Sequence, residues 1–248
     1  MNTTYKLLAL DMDGTLLTNE HQISPETSSW IKRAQEHGIH VCLSTGRSFG
    51  NALPFGEQLG LATPMVTVNG SEIWRAPHDL YQRYLMDVDL IKKMYGIAAH
   101  YDTWFWAYAV DHLYNKENWT TEIDGQEWLK FGFHTEDDDV RHQILMELQD
   151  LGGLEITNSS PHNLEINPQG INKATGIAQV CSLLGLEVSQ VIAVGDSMND
   201  LAVIQKAGLG VAMGNAQQVV KDEADVVVAS NDEDGIAEVI RKYIFAKE

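Results

Sequence analysis

The sequence predicts an α/β protein: a doubly wound parallel sheet interrupted by an inserted α+β segment. Three observations carry this. Short apolar runs alternate with helical patterns from residue 7 to about 68, and the alternation resumes near residue 171. Two of these runs end in acidic turns, Asp11-Met12-Asp13-Gly14-Thr15 and Gly195-Asp196-Ser197-Met198-Asn199-Asp200. Between them the alternation is lost, and Trp104, Trp106, Trp119 and Trp128 gather.

Taken in order, Leu7–Leu10 reads as a buried strand. Ser24, Pro25 and Glu26 provide an N-cap, a proline at the first helical position and a first-turn acid. A helix is therefore expected from Pro25 to about His37, ending at Gly38. Ile39–Leu43 is a second strand, leading through Ser44-Thr45-Gly46-Arg47 into a helix that ends near Leu59. Pro64–Val68 is a third strand, closed by Asn69-Gly70. Segments 72–75 and 80–85 pair as a hairpin around Ala76-Pro77-His78-Asp79. In the insertion, helices are expected near 88–100, 119–129 and 138–151, with strands near 104–109, 130–134, 154–158 and 163–167. The acids Glu136 to Asp139 suit the start of the third of these helices, where the macrodipole favours negative charge. A helix over Lys173–Leu184 and a strand over Val191–Val194 follow. Shorter units are expected at 199–207, 209–212, 216–222, 225–228 and 235–245. The expected domains are 1–83 with 169–248, and 84–168.

Composition narrows the function. The chain has 248 residues, 44% of them hydrophobic, enough for a sizeable core. Its formal net charge of −18 argues against binding nucleic acid. A phosphate group would be repelled at long range, so any phosphate site needs concentrated local positive charge. No apolar run reaches membrane-spanning length, and no membrane partner is expected. Met1 to Thr4 show no leader pattern, so a cytoplasmic location is expected. Cys42 and Cys181 lie in apolar segments and read as buried free thiols. The nine histidines show no zinc spacing.

The chemistry concentrates at strand ends. A strand would bury the carboxylates of Asp11 and Asp13 on one face, and buried charges need a partner or a metal. Gly14 permits a turn, and Thr15 is placed to hydrogen-bond back to Asp13. Carboxyl ends of strands share one edge of such a sheet. Thr45, Lys173, Asp196, Asn199 and Asp200 can therefore converge on Asp11. Each also has a plainer reading. Asp196 suits a helix N-cap, Lys173 a surface helix, Thr45 a turn with Ser44 as its rival, and Asn69 a turn with Gly70. Arg47 suits either solvent or substrate.

Together these motifs resemble the haloacid dehalogenase superfamily, specifically its Cof-type phosphatases with a large C2-type cap. The resemblance rests on Asp11-Met-Asp13-Gly-Thr15, Ser44-Thr45-Gly46-Arg47, Lys173 within Gly170-Ile-Asn-Lys-Ala-Thr-Gly176, and Gly195-Asp196-Ser-Met-Asn199-Asp200. Asn69-Gly70 and Ala212-Met213-Gly214-Asn215-Ala216 add to it. It implies a Rossmann-like core, with the insertion acting as a substrate-selecting cap. It implies Asp11 as the nucleophile and Asp13 as general acid and base. Thr45, Gly46, Arg47, Asn69, Lys173 and Asn199 would bind the phosphorylated substrate. Mg²⁺ would be held by the carboxylates of Asp11 and Asp196 and the main-chain carbonyl of Asp13. Thr15, Asn199 and Asp200 would support these groups from behind. The implied partner is a small phosphorylated metabolite, and a monomer is expected. Two other functions fit the same residues: phosphotransfer to a sugar hydroxyl, as in mutases, and a non-enzymatic Mg²⁺-binding phospho-receiver.

Overall fold

A computed structural model describes residues 5–245. Met1 to Thr4, on which the reading of a leader rested, lie outside the described residues, as do residues 246–248. The chain forms two compact units, residues 1–82 with 173–248, and residues 83–172.

The first unit opens with β1 (Leu7–Leu10), α1 (Pro25–Glu36), β2 (His40–Leu43), α2 (Phe49–Gln58), β3 (Met65–Thr67), β4 (Glu72–Ala76) and β5 (Asp79–Arg83). α1 starts as its residues demand: the Ser24 side chain accepts from the Thr27 N–H, and Pro25 occupies the first turn. Gly38, with φ of 79°, turns the chain into β2. The second unit holds α3 (Val88–His100), β6 (Trp104–Ala109), β7 (Leu113–Asn115), β8 (Trp128–His134), α4 (Asp138–Leu151), β9 (Leu154–Thr157) and β10 (Asn163–Pro168). The first unit then resumes with α5 (Lys173–Leu184), β11 (Val191–Gly195), α6 (Met198–Lys206), β12 (Leu209–Ala212), α7 (Gln218–Glu223), β13 (Val226–Val227) and α8 (Gly235–Val239).

The main sheet of the first unit runs β13-β12-β11-β1-β2, and every pairing is parallel. Its strands are near-continuous apolar runs because helices shield them; every residue of β1 and β11 is buried. In the register, Leu10 lies beside both Leu43 and Val194, and Gly195 beside Ala212. The ends of β1, β2 and β11 are therefore level. The chain leaves β1 with β2 on one side and β11 on the other, which is where an open α/β sheet forms its crevice.

The second unit is α+β. Its antiparallel sheet runs β7-β6-β8-β10-β9. Met94, Ile97, Phe105, Ala107, Phe131, Phe133, Ile144 and Leu148 form its own core.

Three expectations need correction, and one strand was not foreseen. The helix near 119–129 does not form; one 3₁₀ turn over Ile123–Gly125 stands there instead, and Trp128 already opens β8. Burial outweighs helical spacing: Trp119 stacks on Tyr95 and Trp128, centroids 4.9 and 5.4 Å apart, and Gly125 interrupts the run. β3 does not join the parallel sheet as a full strand. It pairs antiparallel with β4, and only a parallel bridge from Val66 to Ser44 links it to the end of β2. The expected helix 235–245 is α-helical only to Val239, then widens into a π-helix over Ile240–Ile244. β7 has no counterpart in the sequence reading; its three residues are too few to show a period.

Candidate active site

The site is built on the level ends of β1, β2 and β11. Asp11 follows β1, and its N–H donates to the Val194 carbonyl at 3.1 Å, carrying the strand register one residue further. The chain then turns. Gly14 adopts φ of 77°, and a Cβ there would stand 2.6 Å from an Asp196 carboxylate oxygen. Glycine is thus required by both the turn and the approach of Asp196. Because the turn starts at once, the two acids do not share a buried strand face as expected. Asp11 is buried, while the Asp13 side chain is 48% exposed.

Lys173, the first residue of α5, is fully buried. Its Nζ donates to Asp11 Oδ1 at 2.5 Å and to Asp200 Oδ1 at 2.6 Å. The plainer reading as a surface lysine is therefore overturned. Asp200 is held in turn: its Oδ2 accepts from the N–H groups of Asp196 and Ser197 at 3.1 and 3.2 Å. Ser197, not Asp196, is the N-cap of α6, in a capping box with Asp200. Asp196 is thereby released from capping. Its Oδ1 accepts from the Thr15 hydroxyl at 3.1 Å, so Thr15 supports Asp196 and not Asp13 as expected.

Carboxylate oxygens of Asp11, Asp196 and Asp200 all lie within 4.8 Å of one another. Three acids face one ammonium. Burial pushes the Asp11 carboxyl well above the usual range; Lys173 opposes this, while Asp200 and Asp196 reinforce it. Asp196 is pushed up to about 7, chiefly by burial and then by the charge of Asp200. Burial disfavours the Lys173 ammonium, but its two carboxylate partners outweigh this and hold it charged.

The loop after β2 brings Thr45. Its N–H donates to Val66 O at 3.0 Å, its carbonyl accepts from Asn69 N–H at 2.9 Å, and its hydroxyl oxygen accepts from Arg47 N–H at 3.1 Å. The rival Ser44 is also buried, and its hydroxyl has no hydrogen-bond partner among the described residues. Gly46 lies between Thr45 and Arg47 in this loop. Arg47 grips Asp13 with a two-pronged fork, Nε to Oδ2 at 2.8 Å and Nη2 to Oδ1 at 2.5 Å. Its guanidinium lies 5.3 Å from the centre of the Phe55 ring. Val68, Asn69 and Gly70 all have left-handed backbone, with φ of 50°, 56° and 102°. For a β-branched valine this is strained, and the Val68 N–H to Arg47 O bond of 2.9 Å helps to hold it. Asn69 is buried and accepts from Asn199 Nδ2 at 3.4 Å; Asn199 Oδ1 accepts from Ser197 at 3.0 Å. Asn69 and Asn199 thus tie the two loops together.

Two asparagines that fasten the turn at Gly14 were given no role from the sequence, although Asn215 lies in the quoted segment Ala212-Met213-Gly214-Asn215-Ala216. Asn215 Nδ2 donates to Gly14 O at 2.8 Å, and Asn231 joins Asn215 to the Leu17 carbonyl, at 3.0 and 2.9 Å. Asn215 had a signal in the Gly214-Asn215 turn; Asn231 had none.

A family model of haloacid dehalogenase-like hydrolases matches residues 8–142 and 115–240. The chain is 46% identical over 239 residues to the 5-amino-6-(5-phospho-D-ribitylamino)uracil phosphatase YcsE of Bacillus subtilis, covering 96% of each chain. It is 30% identical to the HMP-PP phosphatase of Serratia proteamaculans, covering 88% of this chain and 86% of that one. A haloacid dehalogenase-like hydrolase structure from Bacillus subtilis superposes with a TM-score of 0.87 at 24% identity, over 95% of this chain and 99% of that one. At that identity the likeness shows the fold. Taken with the sequence matches, these findings exclude a phospho-receiver, and the chain belongs to the haloacid dehalogenase-like hydrolases, among their phosphatases.

Proposed function

We propose that the protein is a Mg²⁺-dependent phosphatase of small phosphorylated metabolites that works through a phosphorylated Asp11. The observation that carries the reading is the buried cluster in which Lys173 bridges Asp11 and Asp200 beside Asp196.

The cluster fits a divalent cation. Fully ionised, its three acids would exceed Lys173 by two negative charges, and burial raises the carboxyls of Asp11 and Asp196. Asp200 has both oxygens engaged by Lys173 and by backbone N–H groups, which leaves Asp11 and Asp196 as the carboxylate ligands. The Asp13 carbonyl is the proposed third ligand. Bound there, Mg²⁺ would offset charge on the phosphoryl oxygens and keep both carboxylates ionised.

Lys173 fixes one oxygen of Asp11, orienting the carboxylate for attack on phosphorus. Attack forms an Asp11–phosphorus bond and breaks the phosphorus–ester bond, and the departing oxygen takes a proton from Asp13. Asp13 then removes a proton from water, which attacks phosphorus, releases phosphate and frees Asp11. Each Asp13 oxygen accepts once from Arg47, so a proton on Asp13 takes a remaining lone pair and weakens this fork. Thr45, the Gly46 amide and Lys173 receive the phosphoryl oxygens, with Arg47 contributing when it leaves Asp13.

The test is phosphate release from a panel of phosphomonoesters, with Mg²⁺ and with EDTA. Release should require Mg²⁺ and fall by about 10⁴-fold or more in Asp11→Asn. Full activity in that variant would sink the mechanism.

A further inference from the structure

The turns at one end of the second unit's sheet bring three potential metal ligands together, and the phosphoryl chemistry uses none of them. His134 closes β8, Glu136 stands in the turn before α4, and His162 lies in the turn before β10. Spacing along the chain does not mark them. Strand pairing joins them: His134 lies opposite Asn163, and the Thr135 N–H donates to the His162 carbonyl at 3.0 Å.

The backbone beneath the three is held. The Thr103 hydroxyl donates to the His134 carbonyl at 2.7 Å, and the Thr135 hydroxyl accepts from the Asp137 N–H at 3.1 Å. Asn163 Oδ1 accepts from the N–H groups of Ser159 and Ser160 at 3.0 and 3.2 Å, which fixes the turn that carries His162. A site on fixed backbone loses less freedom when it binds.

The side-chain atoms are spaced as ligands are. His134 Nε2 stands 3.3 Å from Glu136 Oε1, and His162 Nδ1 stands 3.2 Å from Glu136 Oε2. Ligands at about 2.0–2.2 Å around a tetrahedral zinc ion lie about 3.4 Å from one another. An ion pair explains the second contact poorly. His162 Nδ1 is buried and makes no hydrogen bond among the described residues, so nitrogen and oxygen are close without pointing at each other. A buried ring nitrogen needs a partner, and an ion on which both lone pairs converge supplies one. The two imidazole rings are 6.4 Å apart, centre to centre. One ion would draw them together by about 1–2 Å, a movement open to side chains that are 43% and 44% exposed. The next two acids are engaged elsewhere, since Asp137 caps α4 and Asp138 pairs with Arg141 at 2.6 Å.

We infer that His134, Glu136 and His162 form a metal site of their own, wholly within the second unit, for a divalent transition-metal ion such as zinc. Imidazole suits zinc and its neighbours, whereas Mg²⁺ takes oxygen ligands, so the site differs in kind from the acid cluster around Asp11. Three protein ligands leave the fourth corner to water. The bound ion ties the turn before α4 to the turn before β10.

The test is calorimetric titration of zinc into the full chain, with Mg²⁺ in excess to compete for the acid cluster. The wild type should bind one zinc ion. His134→Ala, His162→Ala and Glu136→Gln, each first shown to melt cooperatively, should weaken binding by at least the roughly 10–100-fold that losing a supporting partner costs. Cobalt in place of zinc should give the intense visible absorption of a four-coordinate ion, and His162→Ala should abolish it. Asp11→Asn combined with Asp196→Asn should leave both signals in place. No zinc binding by the wild type, or binding unmoved by the histidine variants, would overturn the site. Loss of binding in the double aspartate variant alone would overturn it too, by placing the zinc in the acid cluster.

Discussion

Lys173 shows how one side chain sets the character of the site. It is the ammonium on which buried Asp11 and Asp200 both depend, and removing it would leave uncompensated carboxylates in the interior. Losing one partner of a buried ion pair costs about 3–5 kcal/mol. Lys173→Met should therefore lower unfolding free energy by roughly that amount in EDTA, read from denaturant midpoints, and by less with Mg²⁺ present. Asp196 gives a pH signature. Its folded pKa of about 7 lies above the unfolded value of about 3.9, so between them the folded state holds a proton the unfolded state lacks. Stability from this group is full below the unfolded value and lost as pH rises through about 7. In EDTA the melting temperature should fall between about pH 4 and about 7 on this account, and Asp196→Asn should flatten the slope. At this scale the sequence was legible where a residue type admits few uses. Asp11, Lys173 and Asp200 meet as their chemistry requires. The partners of Thr15 and Arg47 were not legible, because a hydroxyl or a guanidinium has many possible acceptors and only the folded turn selects one.

The helices are placed by what they omit. Gly176 in α5 meets β3 so closely that an added Cβ would lie 2.6 Å from Val66 Cγ1, with Gly70 Cα at 3.5 Å. α5 carries Lys173 at its first residue, so this contact sets how far the ammonium reaches. Gly176→Ala should push the helix outward, lowering stability by about 1–3 kcal/mol and kcat by about 10²-fold. Thermal melts and steady-state kinetics on the same preparation would check both. α1 follows from its cap, α4 from its acidic start, and α3 and α5 from apolar spacing, all of which are local signals. The missing helix at 119–129 fails for a non-local reason, since Trp119 and Trp128 are claimed by an aromatic cluster that spacing along the chain does not reveal. β3 was legible as a strand, but its pairing partner depends on where the chain returns after Gly70.

Taken whole, the molecule is an anion that handles anions. Its net charge of −18 repels a phosphomonoester until the substrate is close to the site's own positive groups. Raising ionic strength from about 0.01 to about 0.15 M shortens the Debye length from about 30 to about 8 Å. At fixed free Mg²⁺, kcat/KM for a dianionic ester should therefore rise over that range while kcat holds. A fall would mean that local attraction dominates encounter. The parallel alternation and the acidic strand ends were readable as a whole because such sheets place their loops at one edge. The outer face of the second unit's sheet was not, since its tryptophans carry no periodic signal that separates core from surface.

The tether from Gly14 through Asn215 to Asn231 has a consequence for biosynthesis. The backbone turn that aims the proposed nucleophile is fastened by residues made more than two hundred positions after it. A nascent chain halted before that point has its proposed nucleophile but not the fastening of its turn. The turn after the proposed nucleophile is thus fastened only once Asn215 and Asn231 have been made, and a product truncated before them lacks those bonds.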